Sequence, residues 1–427
     1  MNGRALSVLF LPRKTCSLCR GALVAAALSI THFADGGASA LAATSSGAAS
    51  DPVFKALLVD GSTVSGRIVS LGPGAIKLAS AEGPARELPL GRLIKLTREY
   101  SVAFPSLDRS HVIFPEGDCL MRAVVGSSAE TTLDVRSDAL GKMAIPLESM
   151  LGLYLAGQRS DSELDPIMDR VRSEPRTTEV VWLANGDRQA GGFLGIDENK
   201  ITMQVGGKPA LVDRAGVVAL GFDPALVVYP LPNSDFLELT LKDGSRLGVT
   251  EARLDDSTVL ATTRFGQALK VSLNELVRVH VRSKSVVYLS EREPIRVSYV
   301  PYFGPTREIR VDRTVDGHYF QLAGQTFDRG IGMQSKTLVA YRLQPGDRRF
   351  QALVGVDERA GPLGSVVFRV LVDSNERFQT PPLTDHDSPK TIDVDVAGGK
   401  FVILATDFGD RGDVRDLADW VEARIIR

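Results

Sequence analysis

The sequence predicts an all-β protein: repeated small β-barrel-like units followed by a C-terminal β-sandwich. Two patterns carry this prediction. A turn-plus-nonamer signature recurs four times between Asp51 and Ser283, and period-two alternation becomes dense from Val286 onward. The 427 residues are enough for two to four domains with real cores. Hydrophobic residues make up 44%, charged residues 24%, and the mean hydropathy is +0.01, an ordinary globular mixture that excludes wholesale disorder. Fifty Lys+Arg stand against 52 Asp+Glu, a net charge of -2, which excludes a chain-wide basic field and removes nucleic acid from the expected partners.

Residues 1–43 read as a signal peptide. Arg4, Arg13, Lys14 and Arg20 precede a short apolar run from Gly21 to Ile30, and Ala40-Leu-Ala42-Ala43 offers a small-residue cleavage site. The run is shorter than the roughly 20 residues that span a bilayer, and no later segment is a transmembrane candidate. Export to the periplasm, cell surface or medium is therefore expected. Cys16 and Cys19 fall inside this leader, so Cys119 is the one cysteine of the mature chain, expected as a buried hydrophobe and not as a nucleophile.

The repeats begin with four turn pairs, Asp60-Gly61, Glu116-Gly117, Asn185-Gly186 and Asp243-Gly244, each expected to close a hairpin through a type I′ turn. Glu116-Gly117 has the least typical composition. Nonamers with apolar first, sixth and ninth positions follow, starting at Leu88, Ile145, Val212 and Val271, at 27, 28, 26 and 27 residues from their turn glycines. A constant interior with variable connectors marks one folding unit used four times. Each unit reads as about five short strands with a one-turn 3-10 corner, and five such strands must curl into a barrel or pair with a neighbour to bury their apolar faces. The pattern is similar to Sm-like or SH3-like barrels. Two units occupy 51–157 and two occupy 178–283; between them, residues 158–177 are expected to hold a linker helix packed through Ile167, Met168 and Val171.

Strands are then expected at 295–300, 337–343, 350–356, 365–372, 391–396, 400–406 and 419–426, a sandwich pattern. Blocks here resemble the NPCBM/NEW2 modules: Tyr288-Leu-Ser-Glu291, Asp312-Arg-Thr-Val-Asp-Gly317, Leu322 to Gly332, Phe350 to Asp357, Gly364 to Val370 and Ala418-Asp-Trp420. The resemblance covers 285–427 and implies a carbohydrate-binding jelly roll braced by calcium, with loops at one end holding a galactose-type sugar. Two positions depart from the family pattern, Met333-Gln334 and Leu417, where histidines are usual.

Candidate ligand-binding residues are Gln334, Asp416, Asp419 and Trp420: an amide and carboxylates to meet hydroxyls, and an indole to stack on a pyranose face. Core packing is the commoner fate of such a residue and the favoured reading for Trp420, which opens an alternating strand, and Trp182 is expected in a repeat core. Asp407, Asp410 and Asp413 lie three residues apart among glycines and, with Asp357, are the candidate calcium ligands, since calcium takes six to eight oxygens. The alternative is a solvated acidic loop paired with Arg411 and Arg415. With His111, His280, His318 and His386 scattered beyond the leader and no nucleophile elbow, zinc helix or phosphate loop, no enzyme is expected. The expected partner is a glycan or cell-surface polysaccharide. The rival is a scaffold whose repeats bind a protein partner and whose sandwich has lost sugar binding; a glycoside hydrolase ranks last.

Overall fold

The computed structural model describes residues 51–80, 83–98, 109–155, 164–302 and 307–427. The leader, with Cys16 and Cys19, lies outside the described residues.

In each of the four units the first strand pairs with both the second and the last, while in the third unit Gly192–Ile196, Lys200–Val205 and Lys208–Asp213 form a sheet of their own. In the first, Val53–Leu58 pairs antiparallel with both Thr63–Leu71 and Leu93–Arg98, and Thr63–Leu71 passes the sheet on to Ala75–Ala79 and then Arg86–Pro89. A single 3-10 turn, Leu90–Arg92, reverses the chain before the last strand, as it does at Leu147–Ser149 and Arg214–Gly216 in the next two units. The fourth unit makes the corner as a plain turn, with Leu276 N donating to Leu273 O at 3.3 Å. The nonamer explains itself here: Leu88, Leu93, Leu96, Ile145, Met150, Leu153, Val217, Leu220, Val271, Leu276 and Val279 are all buried in one continuous core. Two strands and a tight corner turn the same three apolar positions inward, with Val212 of the third unit packed against the core but only partly buried.

The turns differ from expectation in type. At Asp60-Gly61 only the glycine has positive φ (82°), Gly61 N donates to Leu58 O, and Leu58 N donates to Ser62 O. That is a type I turn with a bulge at the glycine. The Asp60 carboxylate explains the preference, because it accepts from Ser62 N at 2.9 Å. Both residues of Glu116-Gly117 are left-handed (57° and 82°), so the type I′ turn forms at the pair with the least typical composition.

The units couple through their last strands, the second with the third and the first with the fourth. Leu93–Arg98 of the first pairs with Leu276–Arg282 of the fourth; Gly152–Tyr154 of the second pairs with Val217–Gly221 of the third. The sequence grouping of two before and two after the linker is therefore nested in space: the inner pair bridges the helix and the outer pair closes around it. The helix Leu164–Ser173 buries Ile167, Met168 and Val171 against Ile113, Tyr154, Trp182 and Val218. Gly152 permits that approach: a Cβ there would sit 2.7 Å from Val171 Cγ1 and 2.1 Å from Leu220 O. Cys119 is buried in the same cluster, and burial raises its thiol pKa, in keeping with a packing role.

Beyond Arg282 two antiparallel sheets face each other. One contains Gly330–Met333, Ala418–Ile426, Arg349–Val356 and Lys390–Asp395, with Arg310–Val311 at its edge and Val286–Tyr288 also paired to Ala418–Ile426. The other runs Arg296–Tyr299, Thr337–Arg342, Phe401–Phe408, Val366–Val372, Asn375–Gln379. Their inner faces share one core that includes Phe350, Phe368 and Trp420. All seven expected strands form. A hairpin, Phe320–Leu322 with Gln325–Phe327, covers the outer face of the first sheet, where Phe320 and Leu322 pack on Val421.

Sandwich and repeats are joined by buried charge. Arg329 reaches Glu238 at 2.5 Å and Glu291 at 2.6 Å, Asp328 receives Arg246 at 2.6 Å and Arg278 at 3.1 Å, and Lys95 pairs with Glu422. Ile94, Val286, Tyr288 and Ile426 seal the join with apolar contact.

Candidate functional site

Connections between the two sheets gather at one end of the sandwich: the segments following Tyr299, Met333, Val356 and Phe408. The expected site residues lie in or near this rim. The structure places them as braces.

Trp420 is fully buried, with its ring edge-on to Phe368 at 5.5 Å and tilted against Phe350 at 6.4 Å. Strand alternation dictates this: Ile331↔Trp420 and Val354↔Trp420 are registered pairs whose inner faces meet the opposite sheet. The stacking role expected for the indole is corrected accordingly, since no sugar face reaches it. Asp419, one residue earlier, points to the other face of the strand and is equally buried. Burial and the neighbouring Asp357 and Asp316 carboxylates push its pKa well above the ordinary carboxylate value, with Arg359 opposing, and neither oxygen meets a hydrogen-bond donor among the described residues. Asp357 itself accepts from Gln321 N at 2.7 Å and Arg359 N at 2.9 Å.

Asp416 is 1% exposed. Its oxygens accept from Ser365 N at 2.8 Å and from the Ser335 hydroxyl, so one carboxylate ties three loops. Burial raises its pKa to about 6 in spite of those two bonds. Gln334 donates through Nε2 to Asp413 O at 3.0 Å, and its backbone carbonyl accepts from the Thr406 hydroxyl at 3.1 Å. Asp416 and the Gln334 amide nitrogen are therefore spent on the protein, and Gln334 Oε1 is buried without a donor among the described residues.

The four candidate metal ligands do not converge. Asp407 sits between Lys336 and Arg369, each at 3.6 Å; Asp410 is exposed; Asp413 accepts from Tyr302 N at 3.0 Å; and Asp357 lies with Asp419 beneath the hairpin. Among the described residues no three His, Cys, Asp or Glu side chains meet at a point that would hold a metal. The acidic loop is therefore corrected from a cation site to a set of hydrogen-bonded braces, helped by Arg415, whose Nε donates to Ala360 O at 2.7 Å, and by Arg411, which donates to Pro362 O. The calcium quartet does not fit these residues.

One rim residue escaped the sequence reading. Tyr302 is 57% exposed, its ring edge-on to Phe408 at 5.4 Å and lying over Gly412, where a Cβ would come within 3.1 Å of it. Gly412 thus gives the ring room to lie flat on the loop. The available signal was an isolated Tyr in Val300-Pro-Tyr-Phe303, just past a strand end, without periodicity to single it out.

Fold and rim together define an antiparallel β-sandwich module with a loop-built end. Residues 285–426, about a third of the chain, match the model of the NPCBM/NEW2 domain. A curated relative, a "Putative endo-alpha-N-acetylgalactosaminidase" of Renibacterium salmoninarum, is 27% identical over 111 residues, 26% of this chain and 7% of that protein's length. Among solved structures, a CBM51 module from Clostridium perfringens GH95 in complex with methyl-galactose is 27% identical, covering 33% of this chain and 99% of that one at a TM-score of 0.30. The CBM51-2 and INT domains of Clostridium perfringens ZmpB, solved with GlcNAc, are 22% identical, covering 42% of this chain and 40% of that one at a TM-score of 0.31. Among the described residues no helix is long and apolar enough to cross a membrane.

Proposed function

We propose that this is an exported, non-catalytic glycan-binding protein whose sandwich takes a galactose-type sugar at the loop rim, with Tyr302 as the stacking surface. The observation that carries the reading is a half-exposed aromatic ring fixed flat on a braced loop, inside a domain that matches a carbohydrate-binding family. A tyrosine ring offers an apolar face to sugar C–H groups, and the exposed Asp410 on the same loop offers hydroxyl acceptors. Export rests on the leader-like order of residues 1–43. The non-catalytic reading rests on the sequence, which carries scattered histidines and no nucleophile elbow, zinc helix or phosphate loop.

The test is a titration of the full chain with galactosides, with and without a calcium chelator. Tyr302→Ala should abolish binding while leaving the melting temperature within a degree or two, because an exposed ring contributes little to folding. Chelator should leave binding intact. Silence of the folded wild type toward galactosides, or unchanged affinity in Tyr302→Ala, overturns the proposal; chelator-sensitive binding would return a cation to the rim.

A further inference from the structure

A cavity of about 1290 Å³ lies where the helix Leu164–Ser173, the second and fourth repeats and the sandwich meet. Seven arginines and six carboxylates line it. Most of these charges answer one another. Arg246 and Arg329 are held by Asp328, Glu238 and Glu291, Arg282 is bonded to Glu291, and Arg313 reaches Asp169 at 3.5 Å. Arg172, Arg307 and Arg310 meet no carboxylate among the described residues, and Arg172 Nε is buried without an acceptor. On one wall the Arg313 guanidinium lies 3.9 Å from the centre of the Tyr319 ring, a flat surface that is cationic on top and apolar beneath.

We infer that this cavity is a second ligand site, separate from the rim, and that it takes an anionic saccharide bearing a carboxylate or sulfate. The chemistry selects that class in three ways. Guanidinium forks that lack a carboxylate partner among the described residues match the paired oxygens of a carboxylate or sulfate. The six carboxylates, with Ser173 and Ser290, provide acceptors and hydroxyls for a ligand rich in O–H groups, and they repel a polyanion whose charge is dense and whose hydroxyls are few. The volume exceeds what a lone inorganic anion fills and suits two or more sugar rings.

The test titrates the full chain with a uronate-bearing tetrasaccharide, a sulfated tetrasaccharide, a neutral galactose disaccharide and inorganic sulfate, in the wild type, Arg172→Gln, Arg310→Gln and Tyr302→Ala. Binding of at least one acidic tetrasaccharide is expected, weakening with salt and falling roughly tenfold with each arginine replaced, while Tyr302→Ala leaves it unchanged. That independence separates this site from the rim: galactose binding at Tyr302 can fail while the arginine-dependent binding stands. Arg310 is exposed, so Arg310→Gln keeps the test open even where Arg172→Gln disturbs the helix. The inference is overturned when neither acidic tetrasaccharide binds, when affinity is unchanged in a folded Arg310→Gln protein, or when inorganic sulfate binds as tightly as the saccharides, the mark of an anion-only site.

Discussion

At the scale of single residues, neighbouring side chains of one strand divide the work. Trp420 and Asp419 were both legible as special, because an indole and a carboxylate adjoin in Ala418-Asp-Trp420, but alternation sends one into the intersheet core and the other under a hairpin. Sequence pattern shows that two residues face opposite ways; it does not show that both faces are covered. Trp420→Ala should cost about 3–5 kcal/mol in thermal or denaturant unfolding, the usual penalty for emptying a buried aromatic site. Trp420→Phe should keep the fold and, with it, sugar binding. Asp419 yields a pH test. Its native pKa is raised above the ordinary value of 3.8, so the native state resists ionisation and loses stability as pH rises above about that value. Asp419→Asn should therefore gain in melting temperature over the wild type as pH climbs from about 4 toward 8, with the same gain in calcium and in chelator. A variant that is less stable at neutral pH, with the deficit confined to calcium-containing buffer, would show that the carboxylate holds a cation.

Among elements, the repeat was readable because its signal is positional. Three apolar residues at fixed spacing and a glycine at a fixed distance survive even where a unit departs from the pattern, as the fourth does at its corner. The turn type was not readable. Asp60 side-chain capping of Ser62 N selects the type I turn with a glycine bulge, a bond invisible in composition alone. Gly186 isolates the conformational requirement, since its φ is 93° and a Cβ would meet nothing within 4 Å. Gly186→Ala should cost about 1 kcal/mol in chemical denaturation from backbone strain alone, and a neutral result would mean that the turn relaxes. The strands missed in the sandwich, such as Arg310–Val311, Gln325–Phe327 and Gly330–Met333, are two to four residues long, too short for alternation to register.

For the whole molecule, the sandwich is fastened to the outer pair of repeats by charge as much as by apolar contact. His280 is buried and held neutral, its pKa pushed down to about 4 by burial, while Glu422 is drawn down to about 2 because Lys95 and Arg424 outweigh burial. Both groups bind protons more readily unfolded than folded. Their stability is in full force above about pH 6.5 and is lost as pH falls through 6.5 to 4 for His280 and through 4.5 to 2 for Glu422. Asp118 and Asp416, each raised to about 6, act in the opposite sense, so His280→Gln should isolate the first effect by flattening the melting-temperature loss between pH 6.5 and 4. Arg329→Gln, which strips Glu238 of its nearest cation, should cost about 3–5 kcal/mol in denaturant unfolding. None of this join was visible in the chain, because its partners are some 50 to 330 positions apart, as in Arg278–Asp328 and Lys95–Glu422. The central claim, a sugar seated on the rim, is tested most directly by calorimetric titration of a galactoside into wild type, Tyr302→Ala and Trp420→Phe proteins of matched fold. Saturable heat in the wild type and Trp420→Phe, and none in Tyr302→Ala, is the predicted result; equal heat in wild type and Tyr302→Ala, or none in any of the three, contradicts it.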